Sequence, residues 1–253
     1  MSGSFDPVTC LIPSVTGSER VLGTLFAVTN QRTAPLRVIV GDCSEAGLAS
    51  LRPVRRLCRT LRLEVLRLPV RCHPNHSRTA LLAAAGGGLI WFVDDDVWPA
   101  YDCLHCLLRA RRRRGAAAVV GRKVEVLRER PFGGKDWNVA GDCPAARALS
   151  WCDTANLLAD HDALAAGARA AATPFADKPS DVTGEDVLMT SGLAVRALCV
   201  SEPRAVAYHL PAGEERWADL GASDAAVLET LAGGGTAPAH VDWMRRVLDQ
   251  SDW

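Results

Sequence analysis

Short apolar runs alternate with helix-like stretches along the first half of the chain. Each run has the length of a buried strand, and its residues are mostly apolar rather than apolar only at every second position. The runs cover residues 8–13, 36–41, 63–70 and 89–93. Strands of this kind, separated by helices, are typical of a parallel sheet covered on both faces. The pattern therefore predicts an α/β fold with a mostly parallel central sheet flanked by helices, built as a single domain.

Helices are predicted between these strands. The segment 16–19 has the spacing of a capping box, and apolar side chains follow at helical spacing over residues 21–28. A second helix is predicted from residue 44 or 45 to residue 61. A third covers residues 78–85, and the three glycines at 86–88 end it.

The second half of the chain is less regular. Strands are predicted at residues 116–127, 151–158 and 204–209, helices from residue 160 or 161 and over residues 185–198, and long loops at 129–147 and 173–183. Two further helices are expected after residue 210. We therefore divide the chain into a first half, 1–115, a second half, 116–210, and a helical extension, 211–253.

Composition narrows the functional classes. The chain is 48% apolar with no net charge, so it can build a full core, and binding to nucleic acid gains no support. The first residues lack the basic start and apolar run of a signal peptide, and the longest apolar run, residues 81–93, is too short to cross a bilayer. Nine cysteines, an odd number in mostly apolar surroundings, predict reduced thiols in a cytoplasmic protein, with Cys103 and Cys106 as the one close pair.

The carboxyl ends of parallel strands form the edge where ligands bind in such sheets. Three predicted strands deliver polar residues to that edge, namely Pro13–Ser14, Asp42 and Asp94–Asp96. Three adjacent aspartates repel one another unless a cation lies among them, and Mg²⁺ prefers oxygen ligands. In an extended segment Asp94 and Asp96 face the same way. A metal site and a solvated acidic turn are equally good interpretations of the triplet by itself.

Two weaker signals lie further along the chain. Glu185 and Asp186 precede a predicted helix, where acids are favoured simply as helix-starting residues. His209 ends an apolar strand, where a lone histidine is more often structural than a metal ligand. The run Arg109–Arg114 ends a predicted helix and complements its dipole, and contact with anionic lipid or a phosphorylated acceptor is the alternative.

The order of these motifs along the chain is more specific than any one of them. The motifs are, in order, Pro13–Ser14, Gly41–Asp42, Arg78, Asp94–Asp96, Gly184–Asp186 and His209. This order resembles that of the family 2 inverting glycosyltransferases of the GT-A fold. The resemblance extends over roughly residues 8–210. It implies a nucleotide-diphosphate sugar as donor, Mn²⁺ or Mg²⁺ as cofactor, and inversion at the sugar carbon.

The resemblance also assigns roles to individual residues. It implies donor binding by Pro13, Ser14, Asp42, Arg78, Asp94 and Asp95, and metal binding by Asp94, Asp96 and His209. It places the catalytic base at Asp186, with the adjacent Glu185 as the competing candidate. The segment Asp153–Asn156, with Trp151 before it, resembles the part of the family that lines the donor sugar and the acceptor.

Two other functions remain in competition. A sugar-phosphate nucleotidyltransferase shares the nucleotide-binding architecture but opens with a glycine-rich phosphate loop, whereas residues 13–19 contain one glycine. An inactive nucleotide-sugar binding protein on the same fold would have no need for both the acidic triplet and Glu185–Asp186. The acceptor is left open among natural products, cell-wall precursors, lipids and proteins.

Overall fold

A computed structural model describes residues 6–14, 20–60, 62–70, 72, 74–125, 149, 152–170 and 185–210. Its centre is a sheet of eight strands in the order β3-β2-β1-β4-β7-β6-β8-β5. Four of the seven strand pairs are parallel and three are antiparallel. The predicted α/β fold with a mostly parallel sheet flanked by helices is therefore confirmed.

The first part of the chain builds the parallel half of the sheet. Its strands are β1 (Val8–Ser14), β2 (Arg37–Asp42), β3 (Leu63–Arg67) and β4 (Leu89–Val93), and its helices are α1 (Arg20–Thr29), α2 (Arg52–Thr60) and α3 (Pro74–Ala85). All five residues of β4 are buried, as expected for a strand covered on both faces. Gly86, Gly87 and Gly88 all have positive φ and end α3 as predicted.

The later elements complete the sheet. They are β5 (Val97–Pro99), α4 (Cys103–Arg114), β6 (Ala118–Glu125), β7 (Asn156–Asp160), α5 (His161–Ala170), α6 (Glu185–Arg196) and β8 (Cys199–His209). Strand β7 runs antiparallel to both β4 and β6, and β8 runs parallel to β6. The carboxyl ends of β6 and β8 therefore lie at the same edge as that of β4, which brings the second half of the chain to the candidate site.

Two apolar cores lie on opposite faces of the sheet. Side chains of α1, α2 and α4 pack in one core around Trp91, and side chains of α3, α5 and α6 pack in the other around Phe92. Trp91 and Phe92 are adjacent in β4 and both are fully buried, because successive side chains of a strand point to opposite faces. The two predicted halves thus share one sheet and both of its cores.

Several element boundaries differ from the sequence predictions. The helix predicted from residue 44 or 45 is wrong at its start, since a 3-10 turn at Leu48–Ser50 precedes α2. Strand β3 stops at Arg67, α3 begins at Pro74, β7 begins at Asn156, and β8 begins at Cys199. The short strand β5 was not predicted. The capping box at 16–19, the loops at 129–147 and 173–183, and the helical extension 211–253 lie outside the described residues.

The arginine run lies at the end of α4. Gly115, in the left-handed conformation, caps that end, and four arginines, Arg111–Arg114, occupy the last turn. The Arg111 guanidinium is 2.6 Å from the Asp160 carboxylate. Because Asp160 pairs in register with Leu89, the first residue of β4, this run lies at the edge opposite to the aspartates. No helix in the described part of the chain is long and apolar enough to cross a membrane.

Candidate active site

The carboxyl ends of β1, β2 and β4 lie together at one edge of the sheet, as predicted. The register pairs Pro13 with Gly41 and Ser14 with Asp42, and β4 runs parallel beside β1 and leads into Asp94. From the other side, β8 ends at His209. The polar residues that sequence analysis placed at this edge therefore do lie there, although they come from strands far apart in the chain.

Asp42 organises the turn that follows β2. Its Oδ1 accepts hydrogen bonds from the Ser44 amide and hydroxyl, and its Oδ2 accepts the Leu48 amide at 2.7 Å. Arg67 Nη1 also donates to Oδ2, at 2.9 Å. These bonds fold residues 44–48 into a turn, which is why the predicted helix does not begin there. Burial would raise the pKa of Asp42, but the hydrogen bonds outweigh it and lower the pKa.

The side chains of the three aspartates have different partners, as expected where successive side chains point to opposite sides. Asp95 accepts a hydrogen bond of 2.7 Å from the Ser14 hydroxyl, and its backbone carbonyl accepts one from Thr24 of α1. Asp94 instead interacts electrostatically with Asp96 and with Asp153. Asp95 thus ties β1 and α1 to the end of β4. Its two neighbours belong to a charged cluster, whose members are Arg78, Asp94, Asp96, Lys123, Asp153 and His209.

Asp94 pairs with the arginine that precedes the strand. Arg78 Nη2 lies 2.9 Å from Asp94 Oδ1, and the Arg78 side chain is almost completely buried on α3. Burial raises the pKa of Asp94; Arg78 opposes that rise, and the charges of Asp96 and Asp153 add to it. The raised pKa means that the negative charge of Asp94 is held at a cost, which a further positive charge nearby would reduce.

Asp96 and His209 meet through the unpredicted strand. Val97 of β5 pairs with His209 of β8, and the Leu210 amide donates to the Asp96 carbonyl at 2.9 Å. This pairing places His209 Nε2 3.5 Å from Asp96 Oδ2. A carboxylate and an imidazole nitrogen at this spacing are two potential ligands of one cation. The 112 residues between them made the pair invisible to local sequence patterns.

The donor set suits a cation that is shared with a substrate. No group of three or more His, Cys, Asp or Glu side chains in the described residues is arranged to hold a metal. Mg²⁺ usually takes one or two protein carboxylates and completes its shell with waters and substrate phosphates. Asp96 and His209 fit that partial arrangement, and Asp94 is already paired with Arg78.

Lys123 is a member of the cluster that sequence analysis missed. Its Nζ lies 2.9 Å from Asp153 Oδ2, and the Ala155 amide donates to Asp153 Oδ1 at 2.7 Å. Burial would raise the pKa of Asp153, but Lys123, the amide and the nearby His209 together lower it. Nothing in the local pattern around Lys123 marks it, because β6 reaches the site only through its pairing with β7 and β8.

Asn156 is buried, and its side chain makes hydrogen bonds inside the core. Its Oδ1 accepts the Trp91 indole N–H at 3.0 Å, and its Nδ2 donates to the Ala205 carbonyl at 3.1 Å. The Cys103 thiol contacts the same amide, so this member of the Cys103–Cys106 pair belongs to the core. Thr154 is also buried. Of the pocket residues expected from sequence, Asp153 lies in the charged cluster and Trp151 falls outside the described residues.

The predicted catalytic acids begin α6. The helix starts at Glu185, as the sequence predicted, and Asp186 is its second residue. The inner face of α6 packs through Met189 and Leu193 into the core that also contains α3 and α5. The side chains of Glu185 and Asp186 lie outside the described residues, so the choice between them stays a prediction.

A family model described as "Glycosyl transferase family 2" matches residues 9–164, which is more than half of the chain. That segment extends from the second residue of β1 into α5, and it contains the acidic triplet and Asp153. No curated protein sequence matches the chain.

Solved structures of S. aureus TarS share the fold. TarS 1–349 in complex with UDP-GlcNAc is 16% identical, with a TM-score of 0.71, over 94% of this chain and 70% of that one. TarS 1–349 alone gives a TM-score of 0.67 over 94% of this chain. A longer TarS structure, also 16% identical, gives 0.66; there the match spans 96% of this chain but only 42% of that one.

Proposed function

This chain belongs to glycosyl transferase family 2, and on that premise we propose that it transfers a sugar from a nucleotide-diphosphate sugar to an acceptor hydroxyl, with inversion and a divalent cation. The observation that carries the proposal is the convergence of Asp42, the Arg78–Asp94 pair and the Asp96–His209 pair at one edge of the sheet. Ligands of α/β sheets bind at this edge.

The charged cluster suits the departure of a nucleoside diphosphate. Cleavage of the sugar–phosphate bond leaves negative charge on the diphosphate, and preorganised cations stabilise such charge in the transition state. Arg78 and Lys123 are held at the site by Asp94 and Asp153 before any substrate binds. Asp96 and His209 would hold Mn²⁺ or Mg²⁺, which supplies further Lewis-acid stabilisation of the diphosphate.

Removal of the acceptor proton needs a separate group. A sugar or other alcohol is a weak nucleophile, and a carboxylate within hydrogen-bond reach accepts its proton in the transition state. Asp186 at the start of α6 is the proposed base, with Glu185 as its competitor. Inversion requires the acceptor to attack the face of the sugar opposite to the diphosphate, so the base and the cation site must be distinct.

A test with Asp42 and Arg67 examines the nucleotide end of the site. We expect Asp42→Ala to weaken nucleoside diphosphate binding by about 1–3 kcal/mol, since a hydrogen bond to a charged group is lost. The same change removes the acceptor of three hydrogen bonds from the 44–48 turn and of one from Arg67, so stability falls as well.

Arg67→Ala separates the two effects. It leaves the Ser44 and Leu48 bonds in place, and the Arg67 side chain is half exposed. If Asp42 contacts the base, calorimetry on Arg67→Ala should show altered nucleotide affinity with a smaller loss of unfolding free energy than in Asp42→Ala, because only one hydrogen bond to Asp42 is removed. Unchanged affinity in both variants would remove Asp42 and Arg67 from the donor site.

Release of nucleoside diphosphate tests the function itself. A panel of nucleotide sugars, starting with UDP-GlcNAc because TarS was solved with it, is incubated with the protein and Mn²⁺. The proposed transferase releases nucleoside diphosphate. A nucleotidyltransferase would instead release pyrophosphate from a nucleoside triphosphate and a sugar phosphate, and an inactive binding protein would be stabilised by a nucleotide sugar without turnover.

A further inference from the structure

Two cysteines meet beside the candidate site. Cys43 follows β2 directly and is completely buried, and Cys72 lies between β3 and α3 and is partly exposed. Both are free thiols, and their Sγ atoms are 2.6 Å apart although the residues are 29 positions apart in the sequence. The pair with the obvious sequence signature, Cys103 and Cys106, contacts other groups instead, namely Asn156 and Asp102.

The backbone holds both cysteines in place. The Cys43 amide donates to the Ser14 carbonyl at 2.8 Å, and the Cys72 amide donates to the Pro69 carbonyl at 3.3 Å. A disulfide has a sulfur–sulfur distance of about 2.05 Å, so bond formation requires the sulfurs to approach by only about half an ångström. The fold therefore presents the two thiols to each other without rearrangement of the sheet.

We propose that Cys43 and Cys72 form a reversible disulfide, a redox-modification site at the sheet edge that carries Asp42 and Arg78. The bond would join the end of β2 to the segment that leads into α3. Because α3 carries Arg78, the bridge would fix the arginine of the Arg78–Asp94 pair relative to the Asp42 turn. The proposal concerns the thiols alone and stands whether or not the chain transfers a sugar.

The reaction with oxidised glutathione balances as two successive exchanges. The partly exposed Cys72, as thiolate, attacks one glutathione sulfur, forms a mixed disulfide and releases one glutathione thiolate. Cys43 then loses its proton, attacks the Cys72 sulfur and releases the second thiolate, which takes up that proton. Two protein thiols are oxidised, and one glutathione disulfide is reduced to two glutathiones. Burial and the adjacent Cys72 raise the pKa of Cys43 to about 12, which favours Cys72 as the first to react.

Peptide mapping of the full chain tests the proposal. After treatment with oxidised glutathione, the protein should lose the mass of two hydrogen atoms, and digestion should yield one peptide pair linked through Cys43 and Cys72. The unfolded chain loses conformational freedom when this loop closes, so the melting temperature should rise by roughly 5–10 °C and return on reduction.

Serine variants provide the controls. Cys43→Ser and Cys72→Ser should abolish both the link and the rise in melting temperature. Cys58→Ser should retain both, since Cys58 is an exposed residue of α2. Glutathione left attached to Cys72, a link mapped to Cys103 and Cys106, or full alkylation of Cys43 and Cys72 after oxidation would each overturn the proposal. Mapping of the unmodified sequence decides the question even if a serine variant fails to fold.

Discussion

Asp96→Asn should lose metal-dependent turnover by about 100- to 1,000-fold. The change keeps the size of the side chain but removes the negative charge that faces His209 at 3.5 Å. A metal acting as Lewis acid contributes several kcal/mol to the stabilisation of transition-state charge, which corresponds to this range. Turnover is measured as nucleoside diphosphate released from the best donor of the panel, at saturating Mn²⁺.

Metal binding gives this prediction a second readout. The wild-type protein should be stabilised when Mn²⁺ and nucleoside diphosphate are added together, because the ligands bind only the folded state. Asp96→Asn should lose that increment in melting temperature. Asp162→Asn is the matched control, since the Asp162 side chain is 96% exposed at the opposite edge of the sheet. If chelator-treated wild-type protein turns over at the normal rate, the cation has no role.

Asp186→Asn should lower kcat by about two orders of magnitude or more and leave donor affinity unchanged. Asparagine keeps the size and most of the hydrogen bonding of aspartate, but it cannot accept the acceptor's proton. An effect on kcat with intact donor binding identifies an interaction made only in the transition state. The measurement is steady-state turnover with acceptor, together with nucleoside diphosphate affinity by calorimetry.

Glu185→Gln is the paired variant for this test. Residues one position apart on a helix point about 100° away from each other, so the two carboxylates cannot both face the acceptor in the same way. We expect Glu185→Gln to keep most of the activity. Full activity in Asp186→Asn, or retention of the donor's anomeric configuration in the product by NMR, would refute the proposed mechanism.

The pH dependence of the candidate site follows from the pKa shifts of Asp42 and Asp94. The pKa of Asp42 is lowered in the folded protein, so this carboxylate contributes stability that is present above its unfolded pKa and is lost as pH falls through its folded pKa. The pKa of Asp94 is raised, so its burial among like charges costs stability at neutral pH. A cation bound beside Asp94 would offset that cost.

Local patterns were sufficient for most elements of the sheet. Four apolar runs became β1 to β4, and the three glycines at 86–88 ended α3, because buried strands and positive φ impose strong local requirements on residue type. The predicted start of the helix after β2 was wrong because of contacts that are not local in the sequence. The Asp42 carboxylate captures the Ser44 and Leu48 amides, and Arg67 from another strand completes that arrangement.

By itself the sequence determined the α/β class, the strand ends that carry Ser14, Asp42 and Asp94–Asp96, and the edge at which they gather, because all of these follow from short-range periodicity and the geometry of parallel strands. Only the tertiary structure decided which charges meet. Antiparallel insertion of β7, and the pairing of β5 with β8, bring Lys123 to Asp153 and His209 to Asp96. The same folding buries Asn156 against Trp91 and brings the free thiols of Cys43 and Cys72 together. Such contacts depend on strand order, which apolar spacing along a single chain does not specify.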